Sequence, residues 1–172
     1  MKGRQLHSPD TSKTRPTTDK LRSSIFSILG DLSEYPDILD GFAGTGALGI
    51  ESYSRGSSSV DFIDLDKSSI EINTKLMDLG SFRVFKGDYF KILPTLNKQY
   101  DLIFIDPPYN QFPTSEILQP IIDNNLLKYR GIILYEEFYK TDFISINDLS
   151  IIDERKYGDT IIRFLRKTSE ID

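Results

Sequence analysis

The 172-residue chain contains no cysteine and only one histidine, His7. The absence of thiols excludes disulfide bonds, thiolate zinc sites and iron–sulfur clusters, and a single imidazole cannot form a histidine cluster, so we expect no metal site. No apolar stretch approaches the length of a membrane span, and the first six residues lack the apolar region of a signal peptide. Length and composition therefore predict one cytoplasmic domain over residues 1–172.

The chain has a net negative charge except at its N-terminus. The formal net charge is −5, but residues 1–22 carry +4, which leaves −9 on the rest of the chain. This asymmetry predicts a basic arm, residues 1–16, that contacts nucleic-acid phosphates. The side chains proposed to make these contacts are Lys2, Arg4, Lys13 and Arg15. The alternative is a solvated tail that binds nothing.

Apolar segments alternate with helix-like segments over most of the chain. This order predicts an α/β fold with a doubly wound, mostly parallel sheet, whose ligands bind at the carboxyl ends of the strands. The predicted parallel strands are 38–41, 60–64, 83–86, 102–105 and 132–136. Near the C-terminus, 143–152 and 157–165 are rich in strand-forming residues, and the polar residues 153–156 separate them. We therefore predict that an antiparallel hairpin completes a seven-stranded sheet.

A helix is predicted to follow the basic arm. Thr17 and Thr18 suit an N-cap, and Gly30 suits the stop signal. The apolar residues at helical spacing, which we expect on one buried face, are Leu21, Ile25, Ile28 and Leu29.

A glycine-rich stretch follows the first predicted strand. Residues 41–49 read Gly-Phe-Ala-Gly-Thr-Gly-Ala-Leu-Gly, and glycines there let the backbone approach a ligand closely. Gly44-x-Gly46-x-x-Gly49 fits the dinucleotide fingerprint, and Asp64 lies at the distance expected for a contact to ribose hydroxyls. Because NAD and S-adenosylmethionine both carry a ribose, this stretch alone does not choose between them.

Asp106-Pro107-Pro108-Tyr109 follows the apolar run 102–105 and suits methyl transfer to a ring-conjugated amino group. The lone pair of such a nitrogen is delocalised, so a catalyst must accept hydrogen bonds from the amino group and localise that pair. Asp106 and the Pro107 carbonyl are candidate acceptors, the prolines stiffen the turn, and Tyr109 offers a flat face for a base taken out of its stack. A proline-rich turn without function is the alternative. Hydride transfer does not need this motif, so the two motifs together favour S-adenosylmethionine over NAD.

Several motifs, in order and at compatible spacing, make the chain resemble the RsmD-type 16S rRNA guanine-N2 methyltransferases. The matching segments are 2–6, 14–22, 39–51, 64–66 and 106–109. The Arg-Pro-Thr-Thr-Asp stretch at 15–19 is the most specific of them, because the others occur in many class I methyltransferases. The resemblance implies a Rossmann-like class I methyltransferase fold and transfer of a methyl group from S-adenosylmethionine to N2 of one guanine in small-subunit rRNA, within a ribosomal assembly intermediate. We expect the enzyme to act as a monomer.

The resemblance also implies roles for individual residues around the cofactor. Phe42, Ala43, Gly44 and Gly46 would line its methionine and ribose parts, with Asp64 accepting from the ribose hydroxyls. Asp88 would accept from the adenine amino group while the Tyr89 amide donates to the ring, and Thr17 and Thr18 would cap their helix near the methionine carboxylate. Simple capping is the alternative for Asp88, Thr17 and Thr18.

Three other functions remain open from the sequence. An adenine-N6 methyltransferase acting on DNA or RNA would use the same Asp-Pro-Pro-Tyr chemistry. An NAD-dependent oxidoreductase would use the same glycines. A non-catalytic RNA-binding assembly factor would keep the fold without turnover, although intact Asp106 and Tyr109 argue against it.

Overall fold

A computed structural model describes residues 19–76, 80–108 and 111–168 of the chain. Its central element is a seven-stranded sheet with the order β3-β2-β1-β4-β5-β7-β6. The strands are β1 (Asp37–Asp40), β2 (Ser59–Asp64), β3 (Phe82–Lys86), β4 (Tyr100–Ile105), β5 (Leu127–Phe138), β6 (Leu149–Tyr157) and β7 (Thr160–Lys167). The first five are parallel, whereas β7 pairs antiparallel with both β5 and β6. The predicted doubly wound sheet with an antiparallel C-terminal hairpin is therefore confirmed.

Helices cover both faces of the parallel part of the sheet. They are α1 (Asp19–Leu29), α2 (Ala47–Ser54), α3 (Ser68–Leu76), α4 (Tyr89–Ile92) and α5 (Thr114–Asp123). Helices α1, α2 and α3 share one buried apolar cluster with alternate residues of the strands. Helices α4 and α5 share a second cluster with the residues that point the other way. This arrangement leaves the carboxyl ends of the parallel strands as the edge on which the connecting loops meet.

Helix α1 follows the prediction except at one residue. Its Leu21, Ile25 and Leu29 are buried, and Gly30 has a φ of 73° and donates its N–H to the Phe26 carbonyl over 3.1 Å. Ile28, which we predicted on the buried face, is 41% exposed. The fully buried Phe26 completes the apolar stripe instead, and this turns the helix so that Ile28 lies at the border of the stripe.

The predicted position of the C-terminal hairpin turn was wrong. Residues 153–156 lie inside β6, and the turn is made by Gly158 and Asp159, since Tyr157 pairs with Thr160. Gly158 has a φ of 60°, as a two-residue hairpin turn with glycine in its first position requires. Because β6 is an edge strand, its charged side chains remain in solvent, so their polarity did not mark a loop.

Candidate functional site

The parallel strands bring the motif residues to one edge of the sheet. Phe42, Ala43, Gly44 and Gly46 lie in the β1–α2 loop, and Asp64 ends β2. Asp88 follows β3, and Asp106 follows β4. The structure thus brings together these six predicted cofactor residues with the predicted catalytic aspartate, although they are up to 64 positions apart in the chain.

Backbone hydrogen bonds join the β1–α2 loop to the end of β2 and close a turn within the loop. Ala43 donates its N–H to the Ile63 carbonyl over 3.0 Å, and Gly46 donates to the Ala43 carbonyl over 2.7 Å. Gly44 and Gly46 have φ values of 55° and 77°, which L side chains rarely adopt. A Cβ on Gly44 would have no heavy atom within 4 Å, so the loop turns an open, backbone-lined side toward solvent.

The Asp64 carboxylate holds this loop in place. One oxygen, Oδ2, accepts the Gly44 N–H over 2.7 Å, and Oδ1 accepts the Asp66 N–H over 2.8 Å. These two bonds fix the orientation of the carboxylate but leave it lone pairs, because each oxygen can accept twice. A contact of Asp64 to ribose hydroxyls stays a prediction that these bonds permit.

Asp40 and Gly49 belong to the same assembly, and sequence reasoning missed their contact. Asp40 is 3% exposed and accepts the Gly49 N–H at Oδ2 over 3.1 Å. Burial raises the pKa of Asp40 to about 7, and the negative charge of Asp64 acts in the same direction. A Cβ on Gly49 would meet Phe62 Cε1 at 2.4 Å and Val60 Cγ1 at 2.7 Å, so glycine lets α2 pack directly on β2.

The fully buried Asn73 of α3 also bonds to the loop. Its Nδ2 donates to the Thr45 carbonyl over 2.9 Å. Sequence reasoning missed this residue because a polar side chain within a helix gives no signal of which loop it contacts.

Asp88 and Tyr89 have structural contacts beyond their predicted roles. Asp88 accepts the Lys91 N–H at Oδ1 over 3.2 Å, so it caps α4, as the capping alternative expected. The Tyr89 ring stacks on Phe42 at 4.5 Å between centroids, and its hydroxyl donates to the Ile117 carbonyl over 3.0 Å. Burial raises the pKa of Tyr89 well above its ordinary value. The proposed contacts of Asp88 and the Tyr89 amide to adenine stay predictions.

Past the end of β4 lies a narrow crevice between this strand end and β5. Asp106 is half-buried, Pro107 is buried and Pro108 is exposed. We call the space that the two prolines share with β5 the β4–β5 crevice. Its other walls are formed by Phe112, Tyr135, Glu136, Glu137, Phe138 and Thr141. The register of the two strands pairs Ile105 with Tyr135, so the start of the Asp-Pro-Pro motif lies level with Glu136.

Some predicted site residues lie outside the described ranges. They are Lys2, Arg4, Lys13, Arg15, Thr17, Thr18 and Tyr109.

Within the described ranges, no helix is long and apolar enough to cross a membrane. The same residues include no group of three or more His, Asp or Glu side chains placed to hold a metal ion.

Residues 1–166 match the model of the family described as conserved hypothetical protein 95. YlbH of Bacillus subtilis (strain 168), whose name assigns it provisionally to the rRNA methyltransferases, is 33% identical over 96% of this chain and 95% of its own. "Ribosomal RNA small subunit methyltransferase D" of Escherichia coli (strain K12) is 30% identical over 78% of this chain and 70% of its own.

Two solved structures share the fold. The Escherichia coli protein yhhF, described as a methyltransferase candidate, superposes with a TM-score of 0.87 at 26% identity and covers 98% of this chain and 94% of its own. SMU.776, another methyltransferase candidate, was solved with S-adenosylhomocysteine. It has a TM-score of 0.66 at 16% identity and covers 86% of this chain and 49% of its own, which shows the fold alone.

Proposed function

Since the chain belongs to the family described as conserved hypothetical protein 95, we propose that it transfers a methyl group from S-adenosylmethionine to the exocyclic N2 of a guanine in small-subunit rRNA. The family relatives named as rRNA methyltransferases support the substrate class. The placement of the two motifs on neighbouring strands is the observation that supports the reaction.

That placement supports a donor site beside an acceptor site. The register of β1 and β4 pairs Asp40 with Phe104, and Gly41 donates its N–H to the Phe104 carbonyl over 2.9 Å. The glycine loop therefore begins next to the point where the Asp-Pro-Pro motif begins. Methyl transfer needs the donor carbon and the attacking nitrogen held in line, and backbone-bonded strand ends provide such a fixed geometry.

The donor loop fits S-adenosylmethionine on the chemistry of its surface. The open side of Gly44 allows close backbone approach, and the Asp64 carboxylate can accept from ribose hydroxyls. Phe42, Ala43, Gly44 and Gly46 would hold the methionine and ribose parts, and Asp88 and the Tyr89 amide would contact the adenine. When bound, S-adenosylmethionine would supply an electrophilic methyl group, and its sulfur would keep the electrons of the broken S–CH3 bond as S-adenosylhomocysteine leaves.

On the acceptor side, Asp106 and the Pro107 carbonyl accept the two hydrogens of the target amino group. These bonds withdraw the nitrogen lone pair from conjugation with the ring and direct it toward the methyl donor. The Asp106 carboxylate is the acceptor for the proton that the nitrogen loses after methylation. In this proposal Tyr109 stacks on the flipped base, and the basic arm contacts rRNA phosphates of an assembly intermediate.

Mapping of modified nucleotides in rRNA from a strain that lacks the gene tests the substrate. We expect one guanine of small-subunit rRNA to lose its N2 methyl group, and plasmid-borne protein should restore it. Unchanged rRNA modification would contradict the proposal, and loss of an N6-methyladenine would favour the adenine enzyme.

Asp106→Ala tests the chemistry. Turnover on small-subunit particles should fall on the order of 10²-fold or more, because the carboxylate acts on the target amine, while the affinity for S-adenosylmethionine should change little. Asp123→Ala is the control, since this exposed aspartate lies at the far end of α5. Near-normal single-turnover methylation by the Asp106 variant would refute its catalytic role.

A further inference from the structure

Two lysine side chains share one tyrosine ring directly after the end of β5. The Lys156 ammonium lies 4.0 Å from the centroid of the Tyr139 ring, and the Lys140 ammonium lies 5.4 Å from it. Both lysines are exposed, and the tyrosine is half-buried. We call these three residues the Lys–Tyr–Lys cluster. Cation–π attraction to the ring restricts where the two ammonium groups can lie.

Backbone hydrogen bonds hold the cluster in place. Tyr139 donates its N–H to the Asp159 carbonyl over 2.9 Å, which ties the ring to the turn of the C-terminal hairpin. Thr141 donates its N–H to the Phe138 carbonyl over 2.9 Å and closes the turn that contains Lys140. Phe138 and Thr141 also line the β4–β5 crevice, so the cluster begins at the wall of that crevice.

The register of the hairpin sets the face of the sheet on which Lys156 lies. Lys156 is opposite Ile161 in the β6–β7 ladder, and Ile161 is opposite Glu137 in the β5–β7 ladder. Opposed residues of an antiparallel pair point to the same face. Lys156 therefore lies on the face of Glu137, which is the face that lines the β4–β5 crevice.

The cluster lies beyond the end of β4, where the proposed acceptor half of the site begins. Ile105, the last residue of β4, pairs with Tyr135, and β5 continues from there to Phe138. At about 3.3 Å per strand residue, Phe138 lies about 10 Å past the level of Ile105. The two lysines are therefore at the rim of the acceptor end, and not at the reacting atoms.

The positive charges of the cluster lack acidic partners. In the part of the chain that the structure describes, neither ammonium forms an ion pair with a carboxylate. The arginines of the same hairpin are paired, since Arg155 contacts Asp153 over 3.0 Å and Arg163 contacts Glu154 over 2.7 Å. The distances to the shared ring place the two ammonium groups within about one Debye length of each other, which is about 10 Å at 0.1 M salt. Their fields add, so an anion at this rim is attracted by both.

The charge of the whole chain makes this rim relevant to RNA. Residues 23–172 carry a net charge of −9, which repels a polyanion from most of the surface. A base that leaves its stack to reach Asp106 brings its own sugar and phosphates to the rim, because only the base enters the site. Lysine ammonium groups bind phosphates as point charges and need no fixed geometry. The cluster therefore fits the backbone of the nucleotides that flank the target base.

We propose that Lys140 and Lys156 bind rRNA phosphates beside the target nucleotide, and that Tyr139 holds the two ammonium groups in position. The inference rests on the proposed function, since it requires an RNA substrate at the acceptor end. It goes further by assigning an RNA contact to the end of β5 and the C-terminal hairpin, separate from the basic arm.

The first test measures the affinity for unmethylated small-subunit particles between 50 and 200 mM salt. Each phosphate contact contributes about 0.7–0.9 to the slope of log K against log salt concentration. In the double variant Lys140→Gln and Lys156→Gln the slope should therefore flatten by about 1.5, and the loss of affinity relative to wild type should shrink about tenfold over this range. The methylation rate at saturating particle concentration and the affinity for S-adenosylmethionine should not change.

Matched variants separate phosphate binding from a general loss of charge. Lys140→Arg with Lys156→Arg keeps both charges and should keep the slope. Lys75→Gln removes an exposed lysine from α3, which packs on the other face of the sheet, and should leave the slope unchanged. An unchanged slope in the double glutamine variant, or an equal effect of Lys75→Gln, would overturn the inference.

The second test identifies the partner of the cluster. Because the chain has no cysteine, Lys156→Cys provides a single thiol to which a photocrosslinker can be attached. The crosslinker should react with rRNA nucleotides next to the methylated guanine. Crosslinks to a ribosomal protein, to distant rRNA or to nothing would overturn the inference. Failure of the proposed function is a different result, because wild-type protein would then not methylate the particles, whereas failure of this inference alone leaves that methylation intact.

Discussion

Replacing Gly49 by alanine tests how closely α2 must approach β2 to shape the donor loop. The added Cβ would lie 2.4 Å from Phe62 Cε1, 2.7 Å from Val60 Cγ1 and 2.9 Å from Phe62 Cζ. Phe62 and Val60 are completely buried, so neither side chain can move without disturbing the core. The substitution therefore forces either a rotamer change in β2 or an outward shift of α2.

Two opposing terms set the size of the effect. Overpacking of a core costs about 1–3 kcal/mol, and contacts this short place the cost in the upper part of that range. Alanine gains about 1 kcal/mol over glycine in a helix interior. We expect a net loss of about 1–2 kcal/mol in the free energy of unfolding, which lowers Tm by about 2–8 °C in a chain of this size. An outward shift of α2 would also lengthen the Gly49–Asp40 hydrogen bond, so the affinity for S-adenosylmethionine should fall.

Urea unfolding followed by far-UV circular dichroism measures the free energy, since the chain has no tryptophan. The double variant that combines Gly49→Ala with Phe62→Leu shows whether the loss of stability comes from a steric clash with the Phe62 ring. If the ring is the obstacle, Phe62→Leu should cost about 1 kcal/mol less in the Gly49→Ala background than in wild type. Additive effects of the two substitutions, or a more stable Gly49→Ala protein, would refute the packing argument.

Three further predictions concern the buried carboxylate, the base platform and the basic arm. For Asp40 the folded pKa of about 7 exceeds its ordinary value of 3.8, so its contribution to stability falls as pH rises between these values. Asp40→Asn removes this dependence, and its stability relative to wild type should increase by about 1.4 kcal/mol per pH unit across that window. Tyr109→Phe should stay active, whereas Tyr109→Ala should lose roughly 1–3 kcal/mol of stacking, measured from kcat/KM. The double variant Lys2→Gln and Arg4→Gln should flatten the salt dependence of particle binding by about two phosphate contacts and leave cofactor affinity unchanged.

Each of these has an outcome that contradicts it. Parallel stability–pH curves for wild type and Asp40→Asn would show that burial does not raise the pKa of Asp40. Equal damage from both Tyr109 substitutions would point to the hydroxyl in place of the ring. An unchanged affinity and salt slope in the arm variant would make the arm a solvated tail.

Periodicity and spacing predicted much of the sheet because β1, β2 and β4 are short, mostly buried strands. Predicted and observed bounds of β1, β2, β3 and β4 agree within two residues. The turn of the C-terminal hairpin was predicted at the wrong residues, because a polar stretch indicates exposure to solvent and not necessarily a turn. β6 has solvent on its outer edge, and a bulge between Ile151 and Asp153 breaks the alternation that would have marked it as a strand.

The sequence predicted where in the fold the candidate site residues lie, but not which atoms their side chains contact. The rule that ligands bind at the carboxyl ends of parallel strands placed Gly44, Asp64, Asp88 and Asp106 on one edge. Whether Asp88 caps a helix, or Asp64 bonds the loop backbone, depends on distances of a few ångströms between segments far apart in the chain.

The arrangement of the site explains why so few side chains need to define it. In the proposed site, the donor half would be the backbone loop whose shape depends on Gly44, Gly46 and the Asp64 carboxylate, and the acceptor half would begin at the end of β4. The β1–β4 ladder joins the halves, because Asp40 pairs with Phe104 and the following residue, Gly41, bonds the Phe104 carbonyl. Under this proposal, the separation between donor and acceptor would be set by main-chain geometry in the middle of the sheet, where burial on both faces resists distortion.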